Sequence, residues 1–481
     1  MDLSTEAGMQ GDRGSLIEAI RRDGLFDDGF YFGEITGPAG LPIPDELTLL
    51  EHFIEIGASR GLRGHPDDAV ARRLRERWGA TRGDPHPSSR HGPVLFVISD
   101  LEAEAAASFL LPFLAWLRAS PGTPGFEALV TTPRRAFFQR GAKAVALADT
   151  LAAMTTVHWL DEHSGAPGNM AQIEAGHYAF VFVNSLVSVR EDYVVKLLQG
   201  AGLVYAHELD VALEESLGPD GLQGILAVDA CFVASSQAAA AALERHGVRP
   251  DRVVVSHPFI ATARASDDYA HRRLVREQLA TPREAVIVLI VGDVVWSKGA
   301  YLLSGVARSL KDKSPASEWP YFVWVGDSGD GGVARRLARE FALLGMEEHL
   351  RLVGRDDDVA RFYAAADIFL VASVEDSFPL AMLEAAAAGL PLVAFEMPGG
   401  ASEFIAADHG GLAVPALDTS AMAAALILLA RNLKLRIALG EQARVSARHF
   451  SLDVAAPKLR DLILKLRDAR ETETLRDDNQ P

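Results

Sequence analysis

The sequence predicts an α/β protein built on two successive parallel sheets, and three observations carry that prediction. Short apolar segments of strand length recur along most of the chain with helical stretches between them. These segments are apolar throughout rather than alternating, as strands covered on both faces are. They also fall into two series, separated by a polar break at 261–270.

Taken in order, residues 1–80 read as a small helical module. In the run 47–56, Leu47, Leu50, Phe53 and Ile54 share one helical face, and Gly57 is placed to stop the helix, with Gly61 and Gly64 after it. Residues 81–93, rich in Pro, Gly, Ser and His, read as a linker. The first strand series is 94–99, 128–131, 179–184, 203–207, 230–235 and 253–257, within a domain spanning 94–262. The second is 286–291, 321–325, 350–353, 368–372, 392–395 and 412–414, within a domain spanning 263–450. Residues 451–468 read as a closing helix, and the charged tail 469–481 as disordered. Two such series imply two Rossmann-like domains. An eight-stranded barrel is the competitor, but the number of strands and the break between the series disfavour it.

At 481 residues the chain can hold two or three cores. A formal net charge of −18 argues against nucleic acid as a partner, since phosphate backbones recruit basic surfaces. The single cysteine, Cys231, excludes an internal disulfide and a Cys-rich zinc site, and its apolar run reads as core. Residues 1–14 lack the apolar stretch of a signal peptide. The most apolar segment, 285–295, is strand length, not the roughly 20 residues of a membrane span. A soluble, cytoplasmic chain is expected, with peripheral contact at an inner membrane surface left open.

The densest constellation is 371–389, VASVEDSFPLAMLEAAAAG. A buried strand ends near Ala372, an acidic turn follows, and a helix begins near Pro379. Ser377 suits an N-cap, Pro379 the first turn and Gly389 the stop. A helix N-terminus has unpaired amides and a partial positive charge, so the Ser377–Leu380 start, with Phe378 and Pro379 inside it, favours a phosphate. Glu384 could accept bonds from both hydroxyls of a ribose, with Asp376 or Glu375 near a sugar. The plainer reading is that Asp376 and Ser377 cap the helix while Glu384 is solvated.

This segment resembles the E-x7-E region of the family 4 retaining glycosyltransferases, the spacing running from Asp376 to Glu384 with Asp in place of the first Glu. Gly292 to Gly299 (GDVVWSKG) is similar to the family's G-R-x4-K-G segment. Residues 322–326 ending in Gly326, 352–354, 364–370, and Gly399–Gly400 with Glu403 follow in the family's order. In the first half, 96–100 and 205–208 match its strand ends, and the N-terminal module is similar to one preceding some polysaccharide-assembly glycosyltransferases. The resemblance implies a GT-B fold, two Rossmann-like domains facing across a cleft. It implies metal-independent, retaining transfer from a nucleoside diphosphate sugar to a glycan or lipid-linked acceptor, with no cofactor. Lys298, Asp376, Glu375 and His207 would then serve catalysis. Gly292, Ser297, Gly299, Gly326, Glu384 and the Ser377–Leu380 helix start would hold the donor.

Two positions depart from the family pattern. Asp293 stands where an Arg usually meets the diphosphate, so its carboxylate must point elsewhere, and the first strand–helix turn (100–108) has no glycine. They motivate the alternative of a catalytically degenerate GT-B protein that binds a glycan or a partner enzyme. Elsewhere, His257 reads as structural, Asp356–Asp358 as a helix cap rather than a metal-binding D-x-D, and 327–332 as a Gly-rich turn. Arg134 to Arg140 with Lys143 forms a basic, aromatic patch that reads as an exposed helix face or a contact for anionic lipid.

Overall fold

The computed structural model describes residues 92–477 except 104, 161–172, 174–177, 191, 199–201, 229, 262–268, 330 and 408–409; before 92 it describes 20–21, 26–28, 31 and 49–52. Within the predicted N-terminal module, Leu49–His52 is helical and Leu50 is buried. Gly57, Gly61, Gly64 and most of the linker lie outside the described residues.

Among the described residues, thirteen strands form two parallel sheets. The first holds β1 (Val94–Ile98), β2 (Phe126–Pro133), β3 (Val157–Leu160), β4 (Phe180–Val183), β5 (Gly202–Ala206), β6 (Cys231–Ala234) and β7 (Val253–Val255), in the order β3-β2-β1-β4-β5-β6-β7. The second holds β8 (Ile287–Val291), β9 (Tyr321–Val325), β10 (Leu350–Gly354), β11 (Ile368–Val371), β12 (Leu392–Phe395) and β13 (Gly411–Val414), in the order β10-β9-β8-β11-β12-β13. All the predicted strands are present. The unpredicted one, β3, is a short edge strand whose second residue is His158; a four-residue run with a polar centre gives little periodic signal.

Both orders reverse direction beside their first strand, between β1 and β4 and between β8 and β11. Such a reversal opens a crevice at the carboxyl ends of the two strands, where open α/β sheets bind ligands. In the second sheet those ends lead into Gly292 and into Ala372–Asp376.

By contact density the chain divides into two compact units: 1–204 with 228–230 and 466–481, and 205–227 with 231–465. The second unit has a continuous apolar core in which Phe322, Trp324, Leu303, Leu370 and Leu426 are inaccessible to solvent or nearly so. Burying side chains of this size contributes roughly 1.5–3 kcal/mol each. An ion-pair knot closes the start of this sheet. The Asp367 carboxylate accepts from Arg272 and Arg276, both at 2.6 Å, and from the Ile287 amide at 2.8 Å.

The final helix, Leu452–Asp477, runs past the residue at which a disordered tail was expected. The charges of that tail lie among residues with good helix propensity and no Gly or Pro before Pro481, so charge alone did not stop the helix. Cys231 is half-buried at the head of β6 rather than fully enclosed.

Candidate functional site

The site is built on the two loops at the switch point of the second sheet. After β8 the chain turns at Gly292, whose carbonyl accepts the indole N–H of the buried Trp324 at 2.7 Å. The turn ends at Gly299, in the left-handed region at φ +73°; a Cβ there would stand 1.9 Å from the Ala372 carbonyl oxygen. Only glycine lets these backbones approach so closely. Ser297 joins the loops directly, its carbonyl accepting the amides of Val374 at 2.8 Å and Glu375 at 3.3 Å.

The loop contact sets the reach of Lys298. Its ammonium donates to Asp376 Oδ2 at 2.6 Å, and the Ser373 hydroxyl lies 3.4 Å from the same oxygen. Both charged side chains are mostly buried, at 23% and 15% exposure. They line a small hollow with Ile290, Val371, Ser373, Pro379 and Ala381.

The helix beyond is Leu380–Ala387, with Pro379 in the cap position and no side-chain cap. Ser377 therefore does not cap it, contrary to the sequence expectation. Its side chain is buried, and its carbonyl accepts the Gly400 amide at 2.7 Å. Phe378 is also a packing residue, its ring 4.7 Å from His257 and 5.5 Å from Phe450. The Gly399–Gly400 turn packs under this segment: Asp376 and Gly399 are bridged, and a Cβ on Gly400 would fall 2.3 Å from the Phe378 ring. Gly389 ends the helix at φ +82°, as its position predicted.

Three carboxylates take distinct partners. Glu384 accepts the Tyr363 hydroxyl at 2.8 Å. Glu375 turns away from the lysine, its Oε1 accepting the Ala212 amide at 3.1 Å at the start of the Asp210–Ala227 helix. Burial raises its pKa, and the nearby Asp210 and Glu215 add to that, against the lowering by amides 211 and 212. Asp293 accepts the Asp327 amide at 3.2 Å. Its carboxylate is thus occupied in tying the β8 loop to the β9 loop, where Gly326 donates to the Gly354 carbonyl at 2.9 Å.

A family model for glycosyl transferases group 1 matches residues 285–432, the segment carrying both loops. The D-inositol 3-phosphate glycosyltransferase of Salinispora arenicola is 30% identical over 300 residues, 58% of this chain and 67% of that protein. The chain belongs to the family 4 glycosyltransferases. The enzyme of the same name from Corynebacterium glutamicum is 31% identical over 227 residues, 46% of this chain and 53% of that one, so the chain spans about two thirds or less of these relatives' lengths. Among solved structures, Anabaena HepE in complex with UDP superposes with a TM-score of 0.64 at 15% identity, over 78% of this chain and 100% of that one. Sucrose-phosphate synthase from Thermosynechococcus elongatus gives 0.61 at 19% identity, over 78% and 100%. These likenesses are of fold, and the fold is GT-B.

In this family 4 chain, His207 follows β5 with its ring against Tyr205 at 4.5 Å. Burial pushes its pKa down to about 4, so at neutral pH it carries no positive charge. His257 is structural, Nδ1 lying 3.0 Å from the Ser235 carbonyl. Asp356 accepts the Asp358 amide at 2.9 Å and pairs with Arg361, which makes the D-x-D a local turn. Among the described residues no cluster of three or more His, Cys, Asp or Glu is placed to hold a metal, and no helix is long and apolar enough to cross a membrane.

In the glycine-free first turn, Arg140 binds Asp100 at 2.7 Å and Glu102 at 3.4 Å. The basic patch thus pairs with the acids Asp100 and Glu102 of that turn, while Phe137 and Phe138 are buried beside Trp159. Tyr363, Trp324 and Ser373 are the supporting residues that the sequence did not single out. Only Ser373, polar and directly after a buried strand, carried a readable signal.

Proposed function

We propose that the chain transfers a sugar, with retention, from a nucleoside diphosphate sugar to an acceptor hydroxyl. The observation that carries this reading is the Lys298–Asp376 pair at 2.6 Å, at the switch point and before the Leu380–Ala387 helix. A leaving diphosphate needs positive charge. Lys298 supplies it as a point charge, and the amides at the helix start add partial charge, together taking the part a metal plays elsewhere. Glu384, oriented by Tyr363, holds the ribose, and Asp376 faces the sugar. The bond from the anomeric carbon to the phosphate oxygen breaks, the bond to the acceptor oxygen forms on the same face, and the acceptor proton passes to the departing diphosphate.

UDP in the HepE crystal supports a uridine donor as the first to test. A glycan or lipid-linked hydroxyl is the acceptor class favoured here, in a cytoplasmic setting. The relatives' names make an inositol phosphate the second class to assay. Lys298→Ala should lower turnover by about a hundredfold or more, the typical loss for one transition-state donor of roughly 3 kcal/mol, with an unchanged circular dichroism spectrum. Full activity in that variant would refute the assignment. The degenerate reading, motivated by Asp293, predicts no heat on titrating UDP-glucose or GDP-mannose into the unmodified protein.

A further inference from the structure

The GDVVWSKG loop and the helix that follows it each present one aromatic side chain that the donor site does not use. Trp296 is 52% exposed and Tyr301 47%, with ring planes 6° apart and centroids separated by 6.5 Å. Val295 beside them is 40% exposed. The helix that carries Tyr301, Ala300–Lys313, buries Ala300, Leu302, Leu303 and Val306 on its other side, so Tyr301 is left outside a well-packed face. The backbone between Trp296 and Tyr301 is held: the Trp296 carbonyl accepts the Gly299 amide at 2.8 Å, and Gly299 is wedged against Ala372. Two large parallel rings left half exposed, with Val295 beside them, make a small apolar surface whose faces are open to a ligand.

We propose that Trp296 and Tyr301 form a saccharide-stacking subsite that takes a neutral pyranose ring of the acceptor. Parallel aromatic faces match the flat C–H face of a pyranose, whose hydroxyls stay in water. The subsite is near the chemistry, because residues two apart have Cα atoms at most about 7 Å apart, and Lys298 is two residues from Trp296. An anionic lipid surface is the poorer occupant. Lys298 is the one basic residue from 292 to 301 and is paired with Asp376, and the chain carries a net charge of −18. The inference rests on the reading of Lys298 as the diphosphate ligand.

The test uses the full chain with maltose, cellobiose and chitobiose as probes, followed by saturation-transfer NMR and tryptophan fluorescence. UDP calorimetry and co-sedimentation with phosphatidylglycerol vesicles run in parallel. The expected result is transfer to ring C–H protons of at least one disaccharide. Its affinity should be weakened about tenfold or more in Trp296→Ala and Tyr301→Ala and partly retained in Trp296→Phe, while UDP affinity is unchanged. The inference is overturned if no disaccharide binds the unmodified protein or if binding is indifferent to both alanine variants. It is equally overturned if Trp296→Ala weakens UDP binding, or abolishes vesicle binding with no change towards saccharide. Absence of UDP binding in the unmodified protein would overturn the donor reading alone, and the saccharide titration would still decide the subsite.

Discussion

Lys298 and Asp376 lie 78 positions apart in sequence and meet at 2.6 Å. At the scale of single residues the structure divides labour that the sequence left shared. Of the adjacent acids, Asp376 meets the lysine and Glu375 holds the start of a helix. The E-x7-E spacing pointed to Asp376, because it alone is seven intervening residues from Glu384. The partner of Glu384 was not legible, since Tyr363 reaches it from another helix. Removing that hydroxyl takes one hydrogen bond from the Glu384 carboxylate without changing its charge. Tyr363→Phe is therefore expected to raise the donor KM several-fold, for a loss of about 1 kcal/mol, with little change in kcat. A fall in kcat at constant KM would show that Glu384 is not oriented by Tyr363 for donor binding.

At the scale of elements, strands were readable because they are buried on both faces and apolar throughout. The edge strand β3 was not, and helix 380–387 starts later than its polar residues suggested. The knot at Asp367 shows a different kind of hidden information. One carboxylate joins the Tyr269–Gln278 helix to the starts of β8 and β11. Burial lowers the pKa of Arg276, against the raising effect of Asp367. Asp367→Ala strands a buried guanidinium, and breaking such a pair costs about 3–5 kcal/mol. Urea denaturation should show a loss of that size, and a change under 1 kcal/mol would place the pair among weak surface bridges.

The β2–β3 edge carries a pH-dependent element of its own. Burial would raise the pKa of Glu127, but bonds from His158 at 2.8 Å and from Tyr178, with the His158 charge, outweigh it and hold it below 4.5. A depressed carboxylate stabilises the fold above its unfolded pKa, and the contribution is lost as pH falls through the folded one. Stability measured from pH 6 down to pH 3 should therefore fall less steeply for Glu127→Gln than for the unmodified protein. Parallel slopes would remove Glu127 from the account.

At the scale of the whole molecule, the two-sheet plan was legible from the spacing of apolar runs and the break between the series. Composition set limits on partners but said nothing about the site. Long-range pairs decided what composition could not: Asp293 occupied by the Asp327 amide, Arg140 by the first-loop acids. A ligand that binds only the folded chain stabilises it by about 2.7 kcal/mol at a hundred times its Kd. Saturating UDP should raise the melting temperature of the unmodified protein and leave Lys298→Ala nearly unmoved. Equal shifts in both would place the nucleotide elsewhere.

The Lys298–Asp376 pair also bears on how a turnover would end. In the resting site the ammonium already has a counter-ion, supplied by the chain. On the proposed donor reading, a diphosphate arriving there would exchange with Asp376 rather than fill an uncompensated positive charge, and binding would be weaker by what the carboxylate gave up. When the spent nucleotide left, the carboxylate would return to the lysine, so departure would not expose a bare cation. The site would then work as a small ion exchanger, giving up some grip on the donor in return for prompt release of the product.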